Sequence, residues 1–176
     1  AGADIKGRAD RTPEHGDHWQ HSRRVRECFY SIMECRKPVI AAINGPALGA
    51  GLAVAASADI LVAAEEASFG LPEIDRGALG AATHLMRMFG VPKTRRMLYT
   101  GEPISAEEAL RLGGIDSVVP RAQLREEALA LARTIASKSG RALRLAKHSL
   151  NGIELLDVKE SYRYEQGFTF ELYTSP

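Results

Sequence analysis

Cysteine is scarce. Cys28 and Cys35 are the only two in 176 residues, and a single pair supplies neither a disulfide framework nor the ligand set of a zinc ribbon. Free thiols in a reducing cytoplasm are the expectation. An excess of either charge sign is also lacking, since 23 Lys and Arg face 22 Asp and Glu for a net +1. With no basic field and no Lys/Arg run interleaved with aromatics, no nucleic-acid partner is expected. A long apolar run is missing as well. The least polar stretch, Val39 to Ala64, is interrupted by Asn44, Gly45, Pro46 and Asp59, and its uncharged core from Ala47 to Ala58 spans twelve residues. A membrane span needs about twenty, so this is read as a buried element and no membrane partner is expected. Ala1 to Asp10 carry charge without an apolar core, which is not the pattern of a signal peptide. The first residue is Ala instead of Met, and an upstream part is expected to be missing.

What is present is ordinary for a globular chain: 45% hydrophobic and 26% charged residues. The length bounds one domain, or one domain with an appended helical piece. Residues Gly7 to Gly16 read as a polar surface loop. From Asp17 to Arg36, Trp19, Val25, Phe29, Ile32 and Met33 roughly follow helical spacing. Pro38 stops that helix, and Val39 to Ile43 is a short buried strand bounded by Asn44-Gly45. Small residues from Ala47 to Gly51 lead into a helix from about Gly51 to Ser57. Asp59 to Ala63 reads as a second strand and Ala67 to Phe69 as a third. Strand, glycine turn, helix and strand in that order indicate an α/β core.

The second half reads as mostly helical. Thr83 to Phe89, Lys93 to Tyr99 and Ala106 to Leu112 are short helices, the last opened by Ser105 with Glu108 three residues on, a capping box. Ile115 to Val119 is a strand closed by Pro120. Gln123 to Lys138 is amphipathic, with Leu124, Ala128, Leu131, Ala132 and Ile135 on one face. Arg141 to Asn151 and Val158 to Leu172 are two further helices.

Two segments carry candidate chemistry. In Asn44-Gly-Pro-Ala-Leu-Gly-Ala-Gly51, small residues let a ligand approach the backbone, and the following helix offers unpaired N–H groups to a developing negative charge. Tight packing of a helix on a sheet explains the same residues. A dinucleotide fingerprint fits less well, because Gly49-Ala50-Gly51 lacks a third glycine and no ribose-binding acid follows at the expected distance. In Phe69-Gly-Leu-Pro-Glu73-Ile, Glu73 follows a rigid proline between apolar neighbours, which suits a proton shuttle. A solvated turn carboxylate is the plainer alternative.

Taken in order with Ala1-Gly-Ala-Asp-Ile-Lys6, these segments resemble the enoyl-CoA hydratase/isomerase (crotonase) family. The matching stretches are Lys37-Pro38-Val39-Ile40-Ala41-Ala42-Ile43-Asn44-Gly45, then Ala58-Asp59-Ile60, then Phe69-Gly70-Leu71-Pro72-Glu73. Leu98 to Ala109 and Gly113 to Pro120 follow in the family's order. The resemblance runs over essentially the whole chain. It implies an α/β crotonase-like spiral of ββα units, lacking segments at both ends. Residues 1–120 would form the acyl-CoA-binding core, and residues 121–176 a helical oligomerisation region used for trimer contacts.

The resemblance also implies roles. Members bind acyl-CoA thioesters and polarise the thioester carbonyl with two backbone N–H groups, an oxyanion hole that falls here on Ala3 and Ala50. Ala1, Asp4, Ile5 and Lys6 would border the coenzyme A moiety, with Gly49 and Gly51 beside the thioester. Hydratases of the family use two glutamates. Glu73 matches the second, whereas the first falls on Ala53, which can neither hold nor activate water. Isomerase-type proton transfer by Glu73 is therefore expected over hydration. The rivals are a hydratase with a substitute acid, or a non-catalytic acyl-CoA-binding or assembly subunit.

The family's P-G-x-G-G segment is replaced by Gly77-Ala78-Leu79-Gly80-Ala81-Ala82-Thr83-His84. That puts Asp75 and His84 forward as extra polar groups, although an ordinary helix histidine is the plainer reading of His84. His18, Trp19 and His21 are expected to border the acyl pocket. The three-residue spacing of His15, His18 and His21 drifts around a helix, so no metal is expected. No cofactor is expected either, since coenzyme A belongs to the substrate. A homotrimer or homohexamer is expected to bury Leu143, Leu145, Ile153, Leu155 and Leu156.

Overall fold

The computed structural model describes residues 17–154 and 156–174. Ala1, Ala3, Asp4, Ile5, Lys6, His15 and Leu155 lie outside the described residues, as does the side chain of His18. Helix α1 (Asp17–Met33) leads to β1 (Ile40–Ile43) and β2 (Ala47–Leu48), and α2 (Ala50–Ala56) to β3 (Ile60–Ala64) and β4 (Ser68–Gly70). A 3-10 helix, Pro72–Arg76, precedes α3 (Ala82–Thr100), β5 (Ile104–Ser105), α4 (Ala106–Arg111) and β6 (Ser117–Val119). Helices α5 (Leu124–Ala136), α6 (Gly140–Ile153) and α7 (Val158–Thr174) complete the order.

Among the described residues two three-stranded sheets form, β1-β3-β6 and β2-β4-β5. The first is parallel throughout, with Ile40 opposite Ile60 and Val62 opposite Ser117. In the second, β2 runs parallel to β4 and β5 antiparallel to it. Alternation along β3 splits the core: Leu61 and Ala63 join the main cluster with Leu52, Phe69, Leu71, Leu85 and Met97. Val62 and Ala64 pack under Leu124 of α5 on the other face. Large side chains such as Phe69 and Leu71, fully shielded from water, stabilise the fold by about 1.5–3 kcal/mol each. Helix α2 sits deep because its residues are small, with Leu52, Ala53, Ala55 and Ala56 all buried.

Several sequence expectations shift. The helices expected at Thr83–Phe89 and Lys93–Tyr99 form one run, α3, broken at Gly90 (φ 69°, ψ 177°) with Pro92 just beyond. Gly90 tolerates the positive φ, and Pro92 has no amide to continue the ladder. The expected capping box is half made. Ser105 Oγ accepts from the Glu108 amide at 3.1 Å, but the Glu108 carboxylate turns to Lys93 Nζ at 2.5 Å. The small-residue turn contains β2, a strand too short to leave a period in the sequence.

Helix α6 is locked to the core by a buried lysine. Lys147 Nζ donates to the carbonyls of Ile32 and Lys37, each at 3.2 Å, and to Asp59 Oδ2 at 2.8 Å. Asp59 Oδ2 also accepts from the Val39 amide at 2.6 Å. Asn151 Nδ2 donates to the Met33 carbonyl at 2.8 Å, so α6 satisfies the C-terminal carbonyls of α1. Leu145, expected at an interface between copies, is instead buried within its own chain. Helix α7 has no buried residue. It rests on α6 through Tyr164, packed over Gly152, and Phe168 against His148.

Candidate active site

The parallel pairing of β2 and β4 sets Leu48 opposite Gly70. One residue further on, the Gly49 amide donates to the Gly70 carbonyl at 3.0 Å. Gly49 stands at φ 54°, ψ −120°, a conformation open to glycine and strained for other residues. Pro72 then opens the 3-10 helix that carries Glu73, and its fixed φ prepares that turn. These constraints bring Glu73 onto Gly49. A Cβ built on Gly49 would lie 2.2 Å from Glu73 Oε1 and 3.2 Å from its Cδ. The carboxylate therefore occupies the space that a side chain at position 49 would need.

Ala50 follows as the first residue of α2. The Ala53 amide donates to the Gly49 carbonyl at 3.0 Å, so the amides before it have no acceptor within the helix. Backbone donors with no acceptor in their own helix and a carboxylate thus come to one small-residue corner. The Glu73 Oε2 atom is buried without a hydrogen-bond partner among the described residues. Leu71 is fully buried on one side of Glu73, while Ile74 on the other is turned outward. Ala53, the position on which the resemblance places a first glutamate in hydratases, has zero exposure and presents only a methyl group.

The remaining candidates are held elsewhere. Asp75 leans over Gly101 at the end of α3, where a built Cβ would lie 2.9 Å from its Oδ2. His84, in the first turn of α3, meets the Phe29 ring edge-on with centroids 4.8 Å apart. Its Nδ1 is buried without a partner among the described residues. Burial, and then the charge of Arg87, push its pKa below the ordinary histidine value, which favours the neutral ring. Arg87 itself donates to the Ala56 carbonyl and to Glu154. Trp19 is exposed on α1, with the Arg26 guanidinium 5.4 Å from its ring centroid, and His21 is exposed on the same helix.

The structure thus unites Gly49, Ala50 and Glu73, whereas Asp75 and His84 contact Gly101 and Phe29. Sequence reasoning passed over Gly70, whose carbonyl anchors Gly49, and over Ala81, which opens α3 at φ 57°. Gly70 carried a signal in principle, because a glycine in a strand marks close backbone approach. Its built Cβ would come within 3.1 Å of Pro103. Ala81 carried none, since alanine does not announce a positive φ. Among the described residues, no group of three His, Cys, Asp or Glu could hold a metal ion, and no helix is long and apolar enough to cross a membrane.

A set of small sheets that seats a carboxylate on the glycine before a helix N-terminus is the arrangement of a crotonase-type chain. A family model described as enoyl-CoA hydratase/isomerase matches residues 1–174, and the chain belongs to that family. It is 43% identical over 172 residues to a (7aS)-7a-methyl-1,5-dioxo-2,3,5,6,7,7a-hexahydro-1H-indene-carboxyl-CoA hydrolase of Rhodococcus jostii (strain RHA1), covering 98% of this chain and 66% of that protein. A protein of the same name from Mycobacterium tuberculosis (strain ATCC 25618 / H37Rv) is 49% identical over 144 residues, covering 82% and 58%. The chain therefore spans about two thirds or less of the length of these curated relatives. Among solved structures, an enoyl-CoA hydratase from Bacillus anthracis superposes with a TM-score of 0.92 at 34% identity, covering 99% of this chain and 68% of that one.

Proposed function

We propose that this chain forms the catalytic corner of an acyl-CoA enzyme that stabilises a thioester enolate, with Glu73 as the group that moves the proton. The observation that carries this reading is the seating of the Glu73 carboxylate on Gly49, one residue before Ala50. A thioester oxygen held by the Ala50 amide would gain negative charge as the α-proton leaves, and a backbone donor fixed beforehand is worth most at that moment. A second donor is proposed at Ala3. Glu73 takes the proton from one carbon and returns it to another, so a single base suffices. The buried methyl of Ala53 favours this isomerase-type transfer over hydration, which would need a second acid.

A second reading is favoured by the two relatives named as hydrolases of a bicyclic dioxo acyl-CoA. Here Glu73 takes a proton from water, and the hydroxide oxygen bonds to a ketone carbon of the acyl group. The bond from that carbon to the thioester α-carbon breaks, and its electron pair passes into the enolate held at Ala50. Glu73 then returns the proton to the α-carbon. Both readings share the enolate and its proton shuttle, and they differ in the electrophile.

Glu73→Gln tests the shared step. It keeps shape but cannot take up a proton as a carboxylate does, so solvent-deuterium exchange at the substrate's α- or γ-carbon should fall by about 10²–10⁴. Thioester binding, read by thermal shift, should persist. Unchanged exchange would remove Glu73 from the mechanism. Turnover of a 3-enoyl-CoA against a β-keto acyl-CoA separates the two readings. We further propose that α6 and α7 join neighbouring copies in a trimer or dimer of trimers, supported by the outward Tyr162, Phe170 and Tyr173. Light scattering that found a monomer at micromolar concentration would refute that assembly.

A further inference from the structure

A second concave feature lies at the far end of β1 from Gly49. It is a cavity of about 370 Å³ between the start of β1, the last turns of α5 and the first turns of α6. Ile40, Ile135 and Leu143 supply apolar wall, and Arg36, Lys37 and Lys138 also line it. No Asp or Glu is among its lining residues within the described part of the chain. Arg23, Arg87, Lys93, Lys147 and Arg163 stand in ion pairs. Exposed cations such as Arg95, Arg121 and Arg125 stand in none among the described residues, so it is the gathering of three cations on one recess that marks this place. Arg36, Lys37 and Lys138 have no ion-pair partner among the described residues.

We propose that this cavity binds a small aliphatic carboxylate, its head against Arg36, Lys37 and Lys138 and its chain along Ile40, Ile135 and Leu143. Three uncompensated cations on an apolar recess attract an anion with a hydrocarbon tail. A bare inorganic ion would leave the walls unused, and a neutral lipid the charges. The planar fork of Arg36 suits the two oxygens of a carboxylate. Gly140, which lines the recess, opens the 14-residue α6, so the positive end of that helix adds to the attraction. The site is partly organised in advance, because Lys147 Nζ holds the Lys37 carbonyl and Pro38 stiffens the next residue. Size fits too, since cavities that enclose small ligands start at about 300 Å³. The proposal stands apart from the reading of Glu73.

The test is calorimetric titration of the full chain with octanoate, with and without saturating butyryl-CoA. Saturable binding that butyryl-CoA leaves unchanged is expected. Arg36→Glu combined with Lys138→Glu, both at exposed positions, should weaken it at least tenfold. Ala132→Phe, which fills the apolar recess, should weaken it while leaving the charges in place. Acetate, which lacks the tail, and octanol, which lacks the charge, should each bind at least tenfold more weakly than octanoate. Absence of saturable octanoate binding, displacement by butyryl-CoA, or equal affinity in the charge-reversed and filled variants would each overturn the proposal.

Discussion

Replacing Gly49 by alanine concentrates two costs at one atom. The backbone at Gly49 has φ 54°, and holding an alanine in such a sparsely populated region costs about 1–3 kcal/mol. The main chain cannot simply relax, because the Gly49 amide is bonded to Gly70 and its carbonyl to the Ala53 amide. The new methyl would also meet Glu73 Oε1 at 2.2 Å, well inside contact distance. The carboxylate is the far end of a flexible side chain, so Glu73 gives way and the backbone stays. The expected result is a modest loss of stability with a large loss of proton transfer. For a chain of this size the melting temperature should fall by roughly 2–4 °C per kcal/mol. Deuterium exchange should fall by about 10²–10⁴, or 3–5 kcal/mol in barrier, as when a general base is displaced. Thermal melting and exchange monitored by mass spectrometry read the two effects separately. A Gly49→Ala protein with parental exchange would refute the coupling of this glycine to Glu73, whatever its melting point did.

Lys147→Met removes the cation that closes α6 onto Asp59 and the carbonyls of Ile32 and Lys37. Because Asp59 keeps some contact with water, the loss should be about 2–4 kcal/mol, at or below the usual cost of breaking a buried pair. A shift of the urea midpoint at constant slope measures it, and an unchanged midpoint would show that the clamp is dispensable. His84 predicts a pH dependence of stability. Its folded pKa lies below the ordinary 6.5, so between those two values the unfolded chain binds more protons. Stability should therefore decline as pH falls below 6.5 and level off beneath the folded value. His84→Phe should remove that decline from urea midpoints taken across the range, and a persisting slope would assign it to another group.

Much of the architecture was legible because local chemistry and tertiary packing agree. Pro38 ends the approach to β1, Asn44-Gly45 ends the strand, and Ser105 caps α4 through the Glu108 amide as its spacing requires. The alternation on β3 was hidden, because both faces of that strand are buried and its residues are uniformly apolar. Strands β2 and β5 each have two residues, too few for any period to show. The Lys147–Asp59 pair joins residues far apart in sequence, and no local pattern marks either partner. The turn of the Glu108 carboxylate towards Lys93 was hidden for the same reason.

The site was legible in its parts but not in its contact. Motif order drew attention to Gly49, Ala50 and Glu73, yet nothing in their spacing states that a carboxylate rests on a glycine Cα. That contact depends on the β2–β4 register and on the Gly49–Gly70 hydrogen bond. It also explains why glycine stands at 49 twice over, once for its backbone angle and once for the missing side chain. Ala53 gains meaning by the same geometry. It lies one turn along α2 from a corner that already holds one carboxylate, and it is sealed from water by its neighbours. An acid there would be cut off from water, and burial disfavours a charged carboxylate. On the proposed reading, in which Glu73 is the proton shuttle, the methyl of Ala53 leaves that one group both to take the proton and to return it. The choice among reactions would then pass to the electrophile that the acyl group presents.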